Sequence, residues 1–164
     1  ATDITEFAIA EGKLYLSPII DMCTNEIVAY DIARRATFEQ IDRMLNRFGN
    51  VLKKYNVSKA LVHSDQGWQY QNIRYSNWLK EHNLVQSMSR KATTHDNIMI
   101  EIFFGRMKVE MFYGKEKTFK DLNDLEKAIK DYIKWYNSDR VCKKLKGLSP
   151  INFKKQALNC ASII

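Results

Sequence analysis

The sequence predicts an α/β fold: a five-stranded mixed sheet, three antiparallel strands first, flanked by helices. Two observations carry this. Apolar runs of strand length come in close succession at the start, and later short apolar runs alternate with stretches of helical period. The resulting order is three strands, helix, strand, helix, strand, and then helices to the end.

Thr2 to Ala8 reads as the first strand, with Ile4 and Phe7 as its apolar weight and Asp3 inside it, and Gly12 turns the chain. Leu14 to Cys23 and Glu26 to Ala33 are rich in Ile, Val, Leu and Tyr, and Thr24-Asn25 between them is a two-residue hairpin signal. Pro18 within the second run predicts a strand edge or a bulge, because proline cannot donate to a ladder. Thr37-Phe-Glu-Gln40 has capping-box spacing, and Phe38, Ile41, Leu45, Phe48 and Leu52 continue as an amphipathic helix to about Tyr55. Lys59 to His63 is a short buried strand closed by Ser64-Asp65-Gln66-Gly67; a helix from about Asn72 to His82 and a fifth strand, Leu84 to Met88, follow.

Ser89 to Asp96 has no apolar periodicity and reads as a mobile loop, after which Thr94 or Asp96 caps a helix running to about Phe112. At about 100° per residue, Asn97, Glu101 and Lys108 share a narrow polar strip. Ile98, Ile102 and Val109 lie to one side of it and Ile100, Phe104, Met107 and Met111 to the other, so the helix is buried on more than one side or joins a partner subunit. From Thr118-Phe-Lys-Asp121 a further helix carries Leu122, Leu125, Ile129, Tyr132, Ile133 and Tyr136 at helical spacing, and Leu148-Ser-Pro150 opens a last short one.

With 164 residues, 45% hydrophobic residues and two prolines, the chain is long enough for one core and has no linker to divide it, so residues 1–164 are expected to form one domain. No apolar run approaches a membrane span, and Ala1-Thr2-Asp3-Ile4-Thr5 lacks the regions of a signal peptide, so a cytoplasmic setting and no membrane partner are expected. Cys23, Cys142 and Cys160 with His63, His82 and His95 have neither disulfide nor zinc spacing and read as structural or surface residues. Residues 1–82 hold ten cationic and ten acidic side chains, whereas residues 83–164 hold sixteen and nine. The whole excess of +7 therefore lies in the second half, which suits a polyanion partner or a merely solvated surface. Arg140, Lys143 and Lys144, with Lys146, Lys154 and Lys155 beyond them, are the best phosphate contacts by position.

Three acids stand apart. Asp65 ends a strand, where α/β sheets collect ligands, although Ser-Asp before Gln-Gly is also ordinary turn chemistry. Asp3 would share that sheet end if the first and fourth strands are neighbours, and the helix can bring Glu101 over the gap. Glu101, flanked by apolar stripes, needs a partner for its charge: a lysine such as Lys108, or a bound cation. Two unit charges about 4 Å apart repel by roughly 4 kcal/mol at an effective dielectric of 20, so convergence of all three implies divalent metal. Oxygen-only ligands select Mg²⁺ or Mn²⁺, and a pair of such ions suits in-line phosphoryl displacement.

The chain resembles the catalytic core of bacterial insertion-sequence transposases of the retroviral-integrase superfamily, DDE enzymes with a ribonuclease H-like fold. The strings that carry the resemblance are Thr2-Asp-Ile-Thr-Glu-Phe7, Gly12-Lys-Leu-Tyr-Leu-Ser-Pro18, His63-Ser-Asp-Gln-Gly-Trp-Gln-Tyr70 and Gln86-Ser-Met-Ser-Arg-Lys91. Further along come Asp96-Asn97, Glu101-Ile-Phe-Phe104, Trp135-Tyr-Asn137 and Ser149-Pro150, and 35 residues stand between Asp65 and Glu101. The resemblance implies Asp3, Asp65 and Glu101 as catalytic metal ligands holding two Mg²⁺ or Mn²⁺ ions. It implies Asn97 and Lys108 beside a DNA end, Arg90 and Lys91 in a loop over the site, and a homo-oligomer acting on DNA. Ala92-Thr-Thr-His95 and Ile98 depart from the family pattern, and a helix-turn-helix region expected upstream of Asp3 is absent, so the chain is expected to be a fragment or an excised domain. Two other readings remain open: a non-enzymatic DNA-binding and dimerising module, and a nuclease acting on RNA·DNA hybrids.

Overall fold

The computed structural model describes residues 1–89 and 97–161, the side chains of residues 160 and 161 excepted. Strands β1 (Thr5–Ile9), β2 (Gly12–Ile20) and β3 (Ile27–Ala33) form an antiparallel sheet in that order. Helix α1 (Phe38–Lys54) leads to β4 (Ala60–Ser64), α2 (Ile73–Glu81) and β5 (Leu84–Met88). β4 and β5 pair in parallel as a separate two-stranded sheet, so the expected single five-stranded sheet is seen as two ladders. One backbone hydrogen bond, from Thr2 N to His63 O at 2.9 Å, bridges them. Helices α3 (Ile98–Met107), α4 (Leu122–Ser138) and α5 (Pro150–Ala161) complete the order.

The ladder between β1 and β2 opens at one place, and Pro18 gives the reason. The register runs Thr5↔Leu16, and the isolated bridge Thr2↔Ile19 keeps the same register on the far side. Asp3 thus lies opposite Pro18, which has no N–H to donate. Asp3 is consequently outside β1, not within a strand as the sequence predicts, and its Oδ1 accepts from the next backbone N–H, that of Ile4, at 2.7 Å. The expected bulge is present too, as a register shift at Ile19/Ile20 in the pairing with β3.

Other local expectations change for similarly plain reasons. The turn between β2 and β3 is wider than a two-residue hairpin, because the Asp21 carboxylate gathers the Cys23 N–H and the Thr24 hydroxyl. Gln40 does not close a capping box. Its amide turns inward to the carbonyls of Tyr15 (2.7 Å) and Asp31 (3.2 Å), locking α1 onto the strands. Asp121, not Thr118, caps α4, accepting from the N–H groups of Asn123 and Asp124.

The apolar side chains divide over the two faces of the strands. Phe7, Leu14 and Leu16 meet Ile100, Phe103, Met107, Leu125, Ile129 and Ile133 on one face. Ile19, Ala29 and Val62 meet Ile41, Met44, Leu45, Tyr75 and Leu79 on the other. Each face is therefore roofed by helices, the α/β arrangement that the periodicity predicts. Asn137 ties the end of α4 to the strands: its Oδ1 accepts from Ile27 N (2.9 Å) and its Nδ2 donates to Ile27 O (3.0 Å). Replacing Asn137 by Ala strips both partners from one backbone unit at the start of β3. Urea denaturation of Asn137→Ala should show a loss of about 2 kcal/mol, with Asn137→Asp losing less because one acceptor remains.

Candidate active site

The three acids are delivered by three different devices. Asp3 emerges at the open rung opposite Pro18. Asp65 follows β4 directly, and its Oδ1 accepts from Gly67 N at 2.9 Å, so it is both a turn former and an acid at a strand end. Glycine suits position 67, because a Cβ there would lie only 3.0 Å from that same Oδ1 and 3.0 Å from Gln69 Oε1, so both side chains would have to give way. Glu101 is exposed, in the first turn of α3.

Their charges reach one another. The Asp3 carboxyl is pushed up to about 6, first by burial and then by the negative charges of Asp65 and Glu101, against the opposing hydrogen bond from Ile4 N. Tyr70, fully buried beneath them, is raised by burial, with Asp3 and Asp65 adding to the rise. Even so, among the described residues no three His, Cys, Asp or Glu side chains are gathered closely enough to hold a metal ion.

A backbone node sits under the acids. Thr2 bridges to Ile19 of β2, donates its N–H to His63 O, and accepts at its carbonyl from Asn97 Nδ2 at 3.3 Å. The Thr2 hydroxyl also meets Tyr70 OH at 3.4 Å. The His63 ring is held between Ser87 Oγ (2.9 Å) and Ser89 Oγ (3.1 Å), and Ser89 N donates to Ser64 O. His63 is structural, as its spacing predicts, while the parts played by Thr2, Tyr70 and Ser89 are not evident from the sequence. Two-residue alternation in β4 and β5 was a usable signal for His63 and the serines, since it puts them on one face; nothing in the pattern marked Thr2.

The remaining candidates separate. Asn97 is only 4% exposed and serves the Thr2 carbonyl. Lys108 directly follows α3 and opens a π-helical turn, Lys108–Phe112. Its Nζ stands 5.6 Å from the Phe7 ring and its charge helps lower the Glu6 carboxyl, so it is not the counter-charge of Glu101 in any direct pair. Arg140 is occupied within the fold: its guanidinium grips Glu110 through Nε at 2.9 Å and Nη2 at 2.5 Å, and Tyr132 OH donates to the same carboxylate. Lys143 and Lys144 are exposed on a short turn, and Lys144 Nζ lies 3.6 Å from Met99 Sδ in the first turn of α3. Arg90, Lys91 and the proposed caps Thr94 and Asp96 lie outside the described residues. Of the two stripes on α3, Ile100, Phe104 and Met107 are buried, whereas Ile98, Ile102 and Val109 are 45%, 39% and 68% exposed.

The chain belongs to the integrase core domain family, whose models match residues 1–94 and 101–158. It is 53% identical over 158 residues to an uncharacterized transposase-like protein of Haemophilus influenzae, covering 96% of this chain and 71% of that one. It is 46% identical over 156 residues to the InsK protein of insertion sequence element IS150 of Escherichia coli K12, covering 94% of this chain and 53% of InsK. The chain thus spans between half and three quarters of these relatives. In fold it is similar to the catalytic core of BIV integrase, with a TM-score of 0.65 at 12% identity over 97% of this chain and 95% of that one. The HTLV-2 integrase core in complex with magnesium gives 0.63 at 14%, over 91% and 89%. Among the described residues no helix is long and apolar enough to cross a membrane.

The raised Asp3 carboxyl predicts a pH dependence. Its folded value of about 6 lies above its ordinary 3.8, so the ionised form disfavours the folded state. The contribution of Asp3 to the stability of the metal-free chain should be greatest below about pH 4, fall as pH rises to about 6, and level off above. The interval corresponds to at most about 3 kcal/mol. Asp3→Asn keeps the acceptor for Ile4 N and removes the charge, so in EDTA it should melt higher than the parent at pH 7.5, with the gain vanishing at pH 4.

Proposed function

We propose that this domain is the catalytic core of a transposase, a polynucleotidyl transferase that cuts at the end of a mobile DNA element and joins the freed end to target DNA. The observation that carries the reading is that Asp65 and Glu101, far from Asp3 in the chain, stand near enough for their charges to add to the rise that burial gives its carboxyl. Membership of the integrase core family and likeness to transposases support it.

The donor set fits a hard divalent cation in kind: three carboxylates, with the His63 imidazole tied to serines and no thiolate among them. Asp3, Asp65 and Glu101 would hold Mg²⁺ or Mn²⁺, two ions in the active state. When bound, such ions supply counter-charge at the scissile phosphate and make an attacking oxygen easier to deprotonate. The residues of the chain then have separable tasks. Asp65, fixed by its turn, and Asp3, fixed at the open rung, present oxygens from a rigid sheet end. Glu101 comes in from the helix. Lys143 and Lys144, beside the first turn of α3, meet DNA phosphates, as do Lys108 and, on the sequence alone, Arg90 and Lys91. In the first step a water oxygen bonds to phosphorus as the bond to the 3′ oxygen breaks, and that oxygen gains a proton. In the second the freed 3′ hydroxyl bonds to a target phosphorus, loses its proton, and a target P–O bond breaks. No Ser or Tyr nucleophile is required in either displacement.

A second reading is favoured by the exposed stripe of Ile98, Ile102 and Val109: a DNA-binding, self-associating module without activity. One experiment separates them. Cleavage and strand transfer on an element-end duplex in Mn²⁺ should fall by at least about a hundredfold in Asp65→Asn and in Glu101→Gln, and in the parent on adding EDTA, with duplex binding retained. Activity surviving either substitution defeats the transferase reading. Lys144→Ala should instead weaken duplex binding at low salt and leave the melting temperature unchanged.

A further inference from the structure

Asn97 poses a problem for any role at a DNA surface. It is buried, its Nδ2 is engaged with the Thr2 carbonyl, and its Oδ1 is buried without a hydrogen-bond partner among the described residues. A buried amide left half-satisfied costs stability, on the order of 1–3 kcal/mol for the orphaned acceptor. Such a group persists where its one bond does something that an apolar residue could not.

That bond joins α3 to the strands at the node beneath the acids. Thr2 precedes Asp3 directly; His63, its other backbone partner, stands two residues before Asp65; Asn97 stands four residues before Glu101, one helical turn. Each acid is therefore a short, stiff step from one member of a single hydrogen-bonded trio. The side chain of Asn97 also occupies the cap position of α3 without capping it: no side-chain cap hydrogen bond is made, and the amide reaches across to the strand instead.

We propose that Asn97 is a positioning residue rather than a DNA contact: its amide sets the distance of α3 from the Asp3 segment and thereby holds Glu101 within reach of Asp3 and Asp65. The inference rests on the transferase reading for its consequence, since the distance it sets is the one that three oxygen ligands must share. Removing the amide leaves α3 seated by apolar packing through Ile100, Phe103 and Met107, so the fold survives while the separation of Glu101 from the other acids is loosened.

The test follows the melting temperature of the purified domain during titration with Mn²⁺, alongside binding of a labelled duplex in EDTA. Asn97→Ala should move the Mn²⁺ concentration of half-maximal effect up by about tenfold, the scale of lost outer-shell partners at metal sites, with duplex binding unchanged. Asn97→Gln keeps the donor on a longer arm and should shift the midpoint in the same direction but less. Should Asn97→Ala fail to fold, an unshifted midpoint in Asn97→Gln overturns the proposal. An unshifted midpoint in a folded Asn97→Ala overturns it as well, and a concurrent loss of duplex binding returns Asn97 to the DNA. No response to Mn²⁺ in the parent removes the metal reading and this inference together, a result distinct from a parent that responds and a variant that responds alike.

Discussion

One backbone residue, Thr2, ties together the elements that carry the acids. Its amide, carbonyl and hydroxyl point to β4, to the start of α3 and to Tyr70, while its bridge to Ile19 anchors it on β2. The two ladders would otherwise be separate sheets with a helix laid against one of them. Because Thr2 is fully buried, none of these bonds competes with water, and each keeps its partner at a defined distance. The geometry of the site is thus set by main-chain hydrogen bonding in the core and only displayed at the surface.

Against that rigidity stands repulsion. Burial and two neighbouring carboxylates make Asp3 reluctant to ionise, which is a cost built into a sheet end that could have carried an asparagine. The fold tolerates it because the strained group is one side chain at an open rung, while the apolar clusters on both faces lie away from it. Positive charge is available nearby but held back: Arg140 is spent on Glu110, and Lys108 rests over Phe7. What lies beside α3 is the exposed lysine turn, whose charges suit a phosphate approaching from solvent.

Much of this was legible in the residues. Strand and helix order followed from period, and the likeness of the spaced strings to the integrase superfamily was enough to single out Asp3, Asp65 and Glu101. What escaped was whatever depends on direction rather than spacing. Pro18 announced a break but not that the break would fall opposite an acid; that needs the register. Lys108 rests over the Phe7 ring, a contact that helical spacing does not announce. Gln40 and Asn97 have polar side chains at helix starts, where local capping is the default, yet both reach across to strands. Arg140 counted as surface charge until the fold placed Glu110 beside it.

The clamp of Asn137 on Ile27 joins residues separated by 110 positions. On the ribosome, the opening hairpins are made early and stay without this fastening until nearly the whole domain has been synthesised. During that interval the start of β3 lacks the two hydrogen bonds that Asn137 brings to it, and the strands gain them only once α4 has left the exit tunnel.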